Sequence, residues 1–237
     1  MPTSTLKQIR QKLRGLADEQ VAAHSQRFFK TGPGEYGEGD QFMGIRVPEL
    51  RRLSKEYRDL PLAEVEQLVQ SLIHEERLLG LLLLVTQYQR ADAAGRKLVF
   101  DSYVQNMANV NNWDLVDCSA HLIVGPQLRD RSKRPLYRWA KSNNLWQRRI
   151  SIMATYSYIK EGDFEDTLTI AELLLNDEED LIHKAVGWML REIGNRDRSV
   201  EETFLKDHYS SVPRTMLRYA IERFPEKKRK RYLTGKI

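Results

Sequence analysis

The chain has 237 residues, of which 41% are hydrophobic and 30% charged, and its formal net charge is +5. It is long enough to bury a real core, and the balance of apolar and charged residues excludes a disordered polyelectrolyte. One cysteine, Cys118, excludes an internal disulfide framework and suits a reducing compartment. Met1 to Arg14 is polar and basic with no apolar stretch, so no secretory signal is expected. The longest apolar run, Leu78 to Val85 with Gly80 inside it, is too short to span a bilayer.

Thr5 to Gly15 and Asp18 to Lys30 read as two helices, with Asp18 as the N-cap of the second. The second ends in Arg27-Phe28-Phe29-Lys30, which reads either as a nucleic-acid contact or as a core-facing Phe pair with solvated flanks; the core-facing reading is slightly favoured. Thr31 to Asp40 contains a literal GxGxxG at Gly32, Gly34 and Gly37. A dinucleotide fingerprint needs a strand before it and a helix after it, and neither is expected here, so the segment reads as a mobile loop, a candidate flap beside a site. Pro48 suits the first position of the next helix, whose apolar stripe is Leu50, Leu53 and Tyr57.

From there a theme repeats. Helices from about Pro61, Ala94, Arg134, Asp166 and Glu201 are each followed by a short turn and a second helix. The openings of the second helices, near Arg77, Asp114, Arg148, Lys184 and Met216, recur every 32 to 37 residues. No strand-like alternation with hairpin signals interrupts them. Helix pairs at this period predict an all-α protein, an α-solenoid of HEAT-like repeats in a single domain over residues 1–237, with the second helices lining a concave basic groove.

The fourth of these helices opens with Asn111-Asn112-Trp113-Asp114-Leu115-Val116-Asp117. Trp113 and Asp117 are four residues apart, so they share a helix face. In helical projection Leu115, Cys118, Ser119 and Leu122 form an apolar stripe, and Trp113, Asp117 and Val124 fall opposite it. A carboxylate beside an indole is a site for a cation; a surface Asp beside a packed Trp is the blander alternative. The charges are blocked. Between Gln127 and Lys160 there are nine basic residues against Asp130 alone, and between Glu161 and Asp180 nine acidic residues and no basic one. With the basic run Lys227 to Arg231, this reads as a basic groove with an acidic back, suited to a duplex.

The five histidines are scattered and no His-x-x-x-His or Cys-x-x-Cys spacing occurs, so neither a metal nor a cofactor is expected. What remains on the proposed surface is a carboxylate, indoles and arginines: Trp113, Asp117, Arg148 or Arg149, and Trp188. Such a set suits a developing cation beside a polyanion. An aromatic face contributes roughly 0.5–2 kcal/mol to a cation. A carboxylate about 4 Å away contributes roughly 4 kcal/mol at an effective dielectric of about 20, which amounts to about a thousandfold in rate if realised in the transition state.

Four segments in order resemble the AlkD-type DNA glycosylases, the HEAT-like-repeat enzymes of DNA alkylation repair. They are Phe42-Met43-Gly44-Ile45-Arg46-Val47-Pro48-Glu49-Leu50-Arg51-Arg52, Trp113 to Asp117, Asn144-Leu145-Trp146-Gln147-Arg148-Arg149, and Lys184-Ala185-Val186-Gly187-Trp188-Met189-Leu190-Arg191-Glu192. The resemblance implies hydrolysis of the N-glycosidic bond of cationic N3- and N7-alkylpurines in duplex DNA, without a base-flipping pocket. It implies Asp117 as the catalytic carboxylate and Trp113 and Trp188 as aromatic walls. It implies Arg149, with Arg148 the alternative, as the phosphate-holding arginine. The family's aromatic near the end of the second helix is a Tyr, and Phe28 is the nearest match, without the hydroxyl. The Gly-rich loop at Gly32 to Gly39 has no counterpart carried over from the family. The expected protein is a monomer in the cytoplasm, on the nucleoid, with alkylated duplex DNA as its partner. A non-catalytic binder of damaged or branched DNA and a protein-binding scaffold are the alternatives.

Overall fold

A computed structural model describes residues 5–237. Among these residues the regular structure is helical, and the one β-bridge, Gln41 with Ile73, belongs to no strand. The chain divides into two compact units, Met1–Ser119 and Ala120–Ile237.

The first unit contains α1 (Leu6–Gly15), α2 (Glu19–Phe28), α3 (Val47–Glu56), α4 (Leu62–Val69), α5 (His74–Arg90), α6 (Ala93–Gln105) and α7 (Trp113–Asp117). Thr5 and Gln8 close α1 with a capping box, and Asp18 caps α2 by accepting from the amides of Gln20 and Val21. α5 is the hub and packs against α3, α4, α6 and α7. Leu78, Leu79 and Leu81 to Leu84 are all buried, so α5 is apolar on every side, as a helix surrounded by others must be. Each such leucine contributes roughly 1.5–3 kcal/mol. Gly80, which interrupts the apolar run, is where α4 comes closest. A Cβ there would lie 2.7 Å from Val69 Cγ2 and 2.9 Å from the Val69 amide nitrogen.

The second unit contains α8 (Ala120–Leu128), α9 (Arg134–Ala140), α10 (Leu145–Ala154), α11 (Tyr156–Ile159), α12 (Glu165–Leu173), α13 (Asp180–Gly194), α14 (Arg198–Asp207), α15 (Arg214–Ala220) and α16 (Glu226–Thr234). Within it α9 pairs with α10, α12 with α13 and α14 with α13. The second helices α10, α13 and α15 pack one on the next, as a stack of helix pairs requires. Among the described residues no helix is long and apolar enough to cross a membrane.

Two expectations are corrected. The helix expected to run on from Trp113 ends at Asp117, with Cys118 as its C-cap, and α8 restarts at Ala120. The helical projection therefore fails beyond Ser119. Val124, placed opposite the apolar stripe, is fully buried, whereas Leu122, placed on it, is half-buried. The Phe28–Phe29 pair is core-facing only in part: Phe28 is 57% exposed, whereas Phe29, the C-cap of α2, is half-buried against the buried His74. The acidic block lies mostly in the turns flanking α12, with Glu165, Asp166 and Glu172 on the helix itself. Finally, the basic tail is a helix, α16, fixed by the buried Tyr232. Its charged periodicity hides a single apolar anchor.

The charge blocks do not separate onto two sides; within the second unit they meet. Arg129 pairs with Glu161 at 3.5 Å, Lys133 with Asp166 at 2.6 Å, and Arg148 with Asp177 at 2.6 Å. Lysines and arginines near acidic turns find them whatever their spacing in sequence. The exposed positive charge that remains in this stretch is Arg131, Arg134, Arg138 and Lys141, on or beside α9, a first helix of its pair, and Lys160, the C-cap of α11.

Candidate functional site

The chemistry of the first unit is organised by the opening turn of α5. His74, Glu75, Glu76 and Arg77 are four consecutive buried charged or ionisable side chains. Each reaches a different segment. Glu75 accepts from the amides of Met43 (2.9 Å), Gly44 (2.7 Å) and Ile45 (3.2 Å), so one carboxylate holds the end of the Gly-rich loop. Glu76 pairs with Arg10 of α1 at 3.1 Å. Arg77 donates to Asp40 at 2.6 Å and to the Ser71 carbonyl at 2.9 Å. His74 lies between two carboxylates, its Nδ1 3.1 Å from Asp40 and its Nε2 2.8 Å from Asp114 on α7.

Asp40, at the end of the Gly-rich loop, also accepts from Asn112, the N-cap of α7, at 3.2 Å. Burial raises the Asp40 pKa, but the bonds from His74, Arg77 and Asn112 outweigh it and hold the carboxyl below its ordinary range. Burial likewise favours neutral His74. The hydrogen bonds to Asp114 and Asp40 overcome this and raise the His74 pKa to about 9. At neutral pH the ring is an imidazolium donating from both nitrogens, and the cluster is a buried ionic network in which each charge is paired while Arg77 Nε is left without a hydrogen-bond partner.

An aromatic column is built on that imidazolium. Phe42 stacks on His74 with centroids 4.7 Å apart, and Phe29 lies against His74 at 4.9 Å. Phe29 stacks on Trp113 at 5.3 Å with an interplanar angle of 23°, and Phe28 meets Trp113 edge-on at 5.9 Å. Phe28 is the exposed end. Quadrupole and cation–π terms both favour this order, with the cation inside and the indole toward the surface. Gly44 lets α2 carry its two phenylalanines into place. Its φ is +79°, and a Cβ would lie 2.0 Å from the Asp18 carbonyl oxygen and 2.6 Å from the Ala22 nitrogen.

Trp113 and Asp117 bracket α7 and are both half-buried, whereas Leu115 and Val116 between them are fully buried. The pair thus shares the outward face, as their spacing predicts. Cys118 donates its thiol to the Leu115 carbonyl at 3.4 Å. Burial, reinforced by Asp114 and Asp117, pushes its pKa far up, so it is no nucleophile.

In the second unit Trp188, on α13, is half-buried and donates from Nε1 to Glu192 at 3.4 Å. Tyr156 lies 6.3 Å from it, with Lys160 over the Tyr156 ring at 4.5 Å and Arg196 at 6.0 Å. Neither arginine of the expected phosphate contact is a simple surface group. Arg148 makes a bidentate contact with Asp177, at 2.6 and 3.2 Å, and Arg149 is 4% exposed and donates to the Leu181 carbonyl. Holding a phosphate would add an external acceptor to these internal ones.

Sequence reasoning missed His74, Asp40, Asp114, Asn112, Phe29, Phe42 and Tyr156. A signal for the first was present: four polar residues, His74 to Arg77, abut the most apolar run of the chain and therefore enter the core with it. Nothing local marked Asp40, whose partners lie more than thirty residues away.

A family model described as DNA alkylation repair enzyme matches residues 9–224. Among solved structures, a predicted DNA alkylation repair enzyme from Enterococcus faecalis superposes with a TM-score of 0.70 at 18% identity, over 89% of this chain and 97% of that one. No curated protein matches by sequence.

Proposed function

Because the chain belongs to the DNA alkylation repair enzyme family, we propose that it is a DNA glycosylase releasing cationic N3- and N7-alkylpurines from duplex DNA. The observation that carries this reading is α7, which holds an indole and a carboxylate on one outward face, with the indole backed by an aromatic column. In the proposed reaction the bond between C1′ and the purine nitrogen breaks. The electron pair leaves with the base and cancels its positive charge. Asp117 stabilises the positive charge left on the sugar and takes the proton of the water that adds to C1′. A cationic purine is already a good leaving group, so no acid is needed to protonate it and no base pocket is required.

Trp113, with Phe28 beside it, and Trp188 flank the lesion nucleotide as aromatic walls in this reading. Arg149 or Arg148 holds phosphate. The partner is alkylated duplex DNA on the nucleoid of the cytoplasm, met by a monomer, and the reaction uses neither metal nor cofactor.

The test is single-turnover excision from a duplex carrying one N7-methylguanine. Wild type is expected to release the base. Asp117→Asn is expected to release it about a thousandfold more slowly with DNA binding intact. Equal rates would remove Asp117 from the chemistry. No release by either, with salt-sensitive binding retained, would make the protein a non-catalytic binder of damaged or branched DNA.

A further inference from the structure

We propose that His74 is a positioning residue for Trp113 and Asp117, a doubly bonded clamp that ties α7 to the Gly-rich loop and sets the alignment of the reacting face. The proposal deepens the glycosylase reading and rests on it for the rate, but its structural part stands apart from that reading.

The geometry is specific. α7 is five residues long, less than two turns, and has little stability of its own. Two polar ties at its opening lead to the same place. Asp114 reaches His74 Nε2, and Asn112 reaches Asp40, which itself bonds His74 Nδ1. The same ring touches Phe29, which stacks on Trp113. The imidazole therefore meets α7 twice, through Asp114 and through the column that supports the indole.

The charged groups facing the ring are Asp40 from the loop, Asp114 from α7 and Arg77 from the next turn of α5, while α2 and the loop present Phe29 and Phe42. An imidazolium can donate to both carboxylates. A neutral imidazole can donate to only one and turns a lone pair toward the other. Asp40 keeps Arg77 and Asn112 in either case, so loss of the proton falls on Asp114 and hence on α7. This gives the Gly-rich loop a part in the site. It delivers Asp40, without which the ring would hold α7 from one side only.

The experiment uses the full chain labelled with 5-fluorotryptophan, with the Trp113 fluorine resonance assigned by Trp113→Phe. Its chemical shift is followed from pH 6 to 10.5 beside the single-turnover excision rate and the DNA dissociation constant. In wild type the Trp113 resonance should move in one step near pH 9, and excision should fall through the same step. His74→Gln, which carries no proton to lose, should abolish the step and slow excision by about tenfold or more, with DNA affinity changed less than about threefold. Asp114→Asn, which keeps the ring but removes one carboxylate, should move the step to lower pH; it serves should His74→Gln not fold.

The proposal is overturned if Trp113 shows no step in wild type. It is equally overturned if the step persists unshifted in either variant, or if His74→Gln excises like wild type. A Trp113 step that obeys these rules in a protein that excises nothing would sustain the clamp and refute the glycosylase reading.

Discussion

Both units place cations against aromatic rings, but they do so in opposite ways. In the first, His74 packs against both Phe29 and Phe42, which also stack on each other, with a carboxylate on each nitrogen. In the second, Lys160 and Arg196 lie over Tyr156, and Arg196 is also bound to Glu192. A buried, fully paired cation has one geometry and can hold a helix in place. A cation on a half-exposed ring is adjustable and screened by solvent, and suits contact with a polyanion. The comparison teaches that the His74 charge is a construction element, whereas the charges over Tyr156 remain available for exchange.

Removing Asp40 is the hardest test of this contrast. Asp40→Ala would leave His74 and Arg77 buried without their shared acceptor, a loss of about 3–5 kcal/mol. Asp177→Ala, which strips Arg148 of its carboxylate in the second unit, should cost about 1–2 kcal/mol, because the Arg148 side chain keeps 15% exposure and the Ser142 carbonyl. Native-state hydrogen exchange of the α5 and α13 amides would read the two losses separately. Equal effects would erase the distinction.

Alkaline titration comes next. Folding raises the His74 pKa from 6.5 to about 9, so the native state holds this proton more tightly than the unfolded chain. The contribution, on the order of 3 kcal/mol, is full below about pH 6.5 and is lost as pH rises through about 9. Protection of the α5 amides should fall over that window. The second unit has its own titrating group in Glu201 of α14, which is 1% exposed, with Arg198 3.7 Å away. Burial pushes its pKa up to about 8, so it opposes folding increasingly as pH rises from 4.5 to about 8. Glu201→Gln should therefore raise stability more at pH 8 than near pH 4.5, as read by thermal unfolding at the two values.

The smallest effect is expected at the exposed end of the column. Phe28→Tyr should change stability by less than about 0.5 kcal/mol, since the ring is mostly in solvent. Any gain in DNA affinity would show that a hydroxyl there reaches the duplex.

The sequence by itself determined the helical class, the recurrence of helix pairs and the shared face of Trp113 and Asp117. Each is a periodicity within a few residues, and hydrophobic spacing reports it directly. Asp18 as a cap and Pro48 near a helix start were legible for the same reason. The break after Asp117 was not, because neither Cys118 nor Ser119 is a Gly or Pro; there Ser119 turns its hydroxyl back to the Leu115 carbonyl and to Tyr103. Only the tertiary structure decided that His74, Asp40 and Asp114 meet, that the basic and acidic blocks neutralise each other, and that Phe28 lies outside the core. A buried polar residue takes its meaning from its partner, and partners thirty to seventy residues apart are brought together by packing that no local pattern encodes.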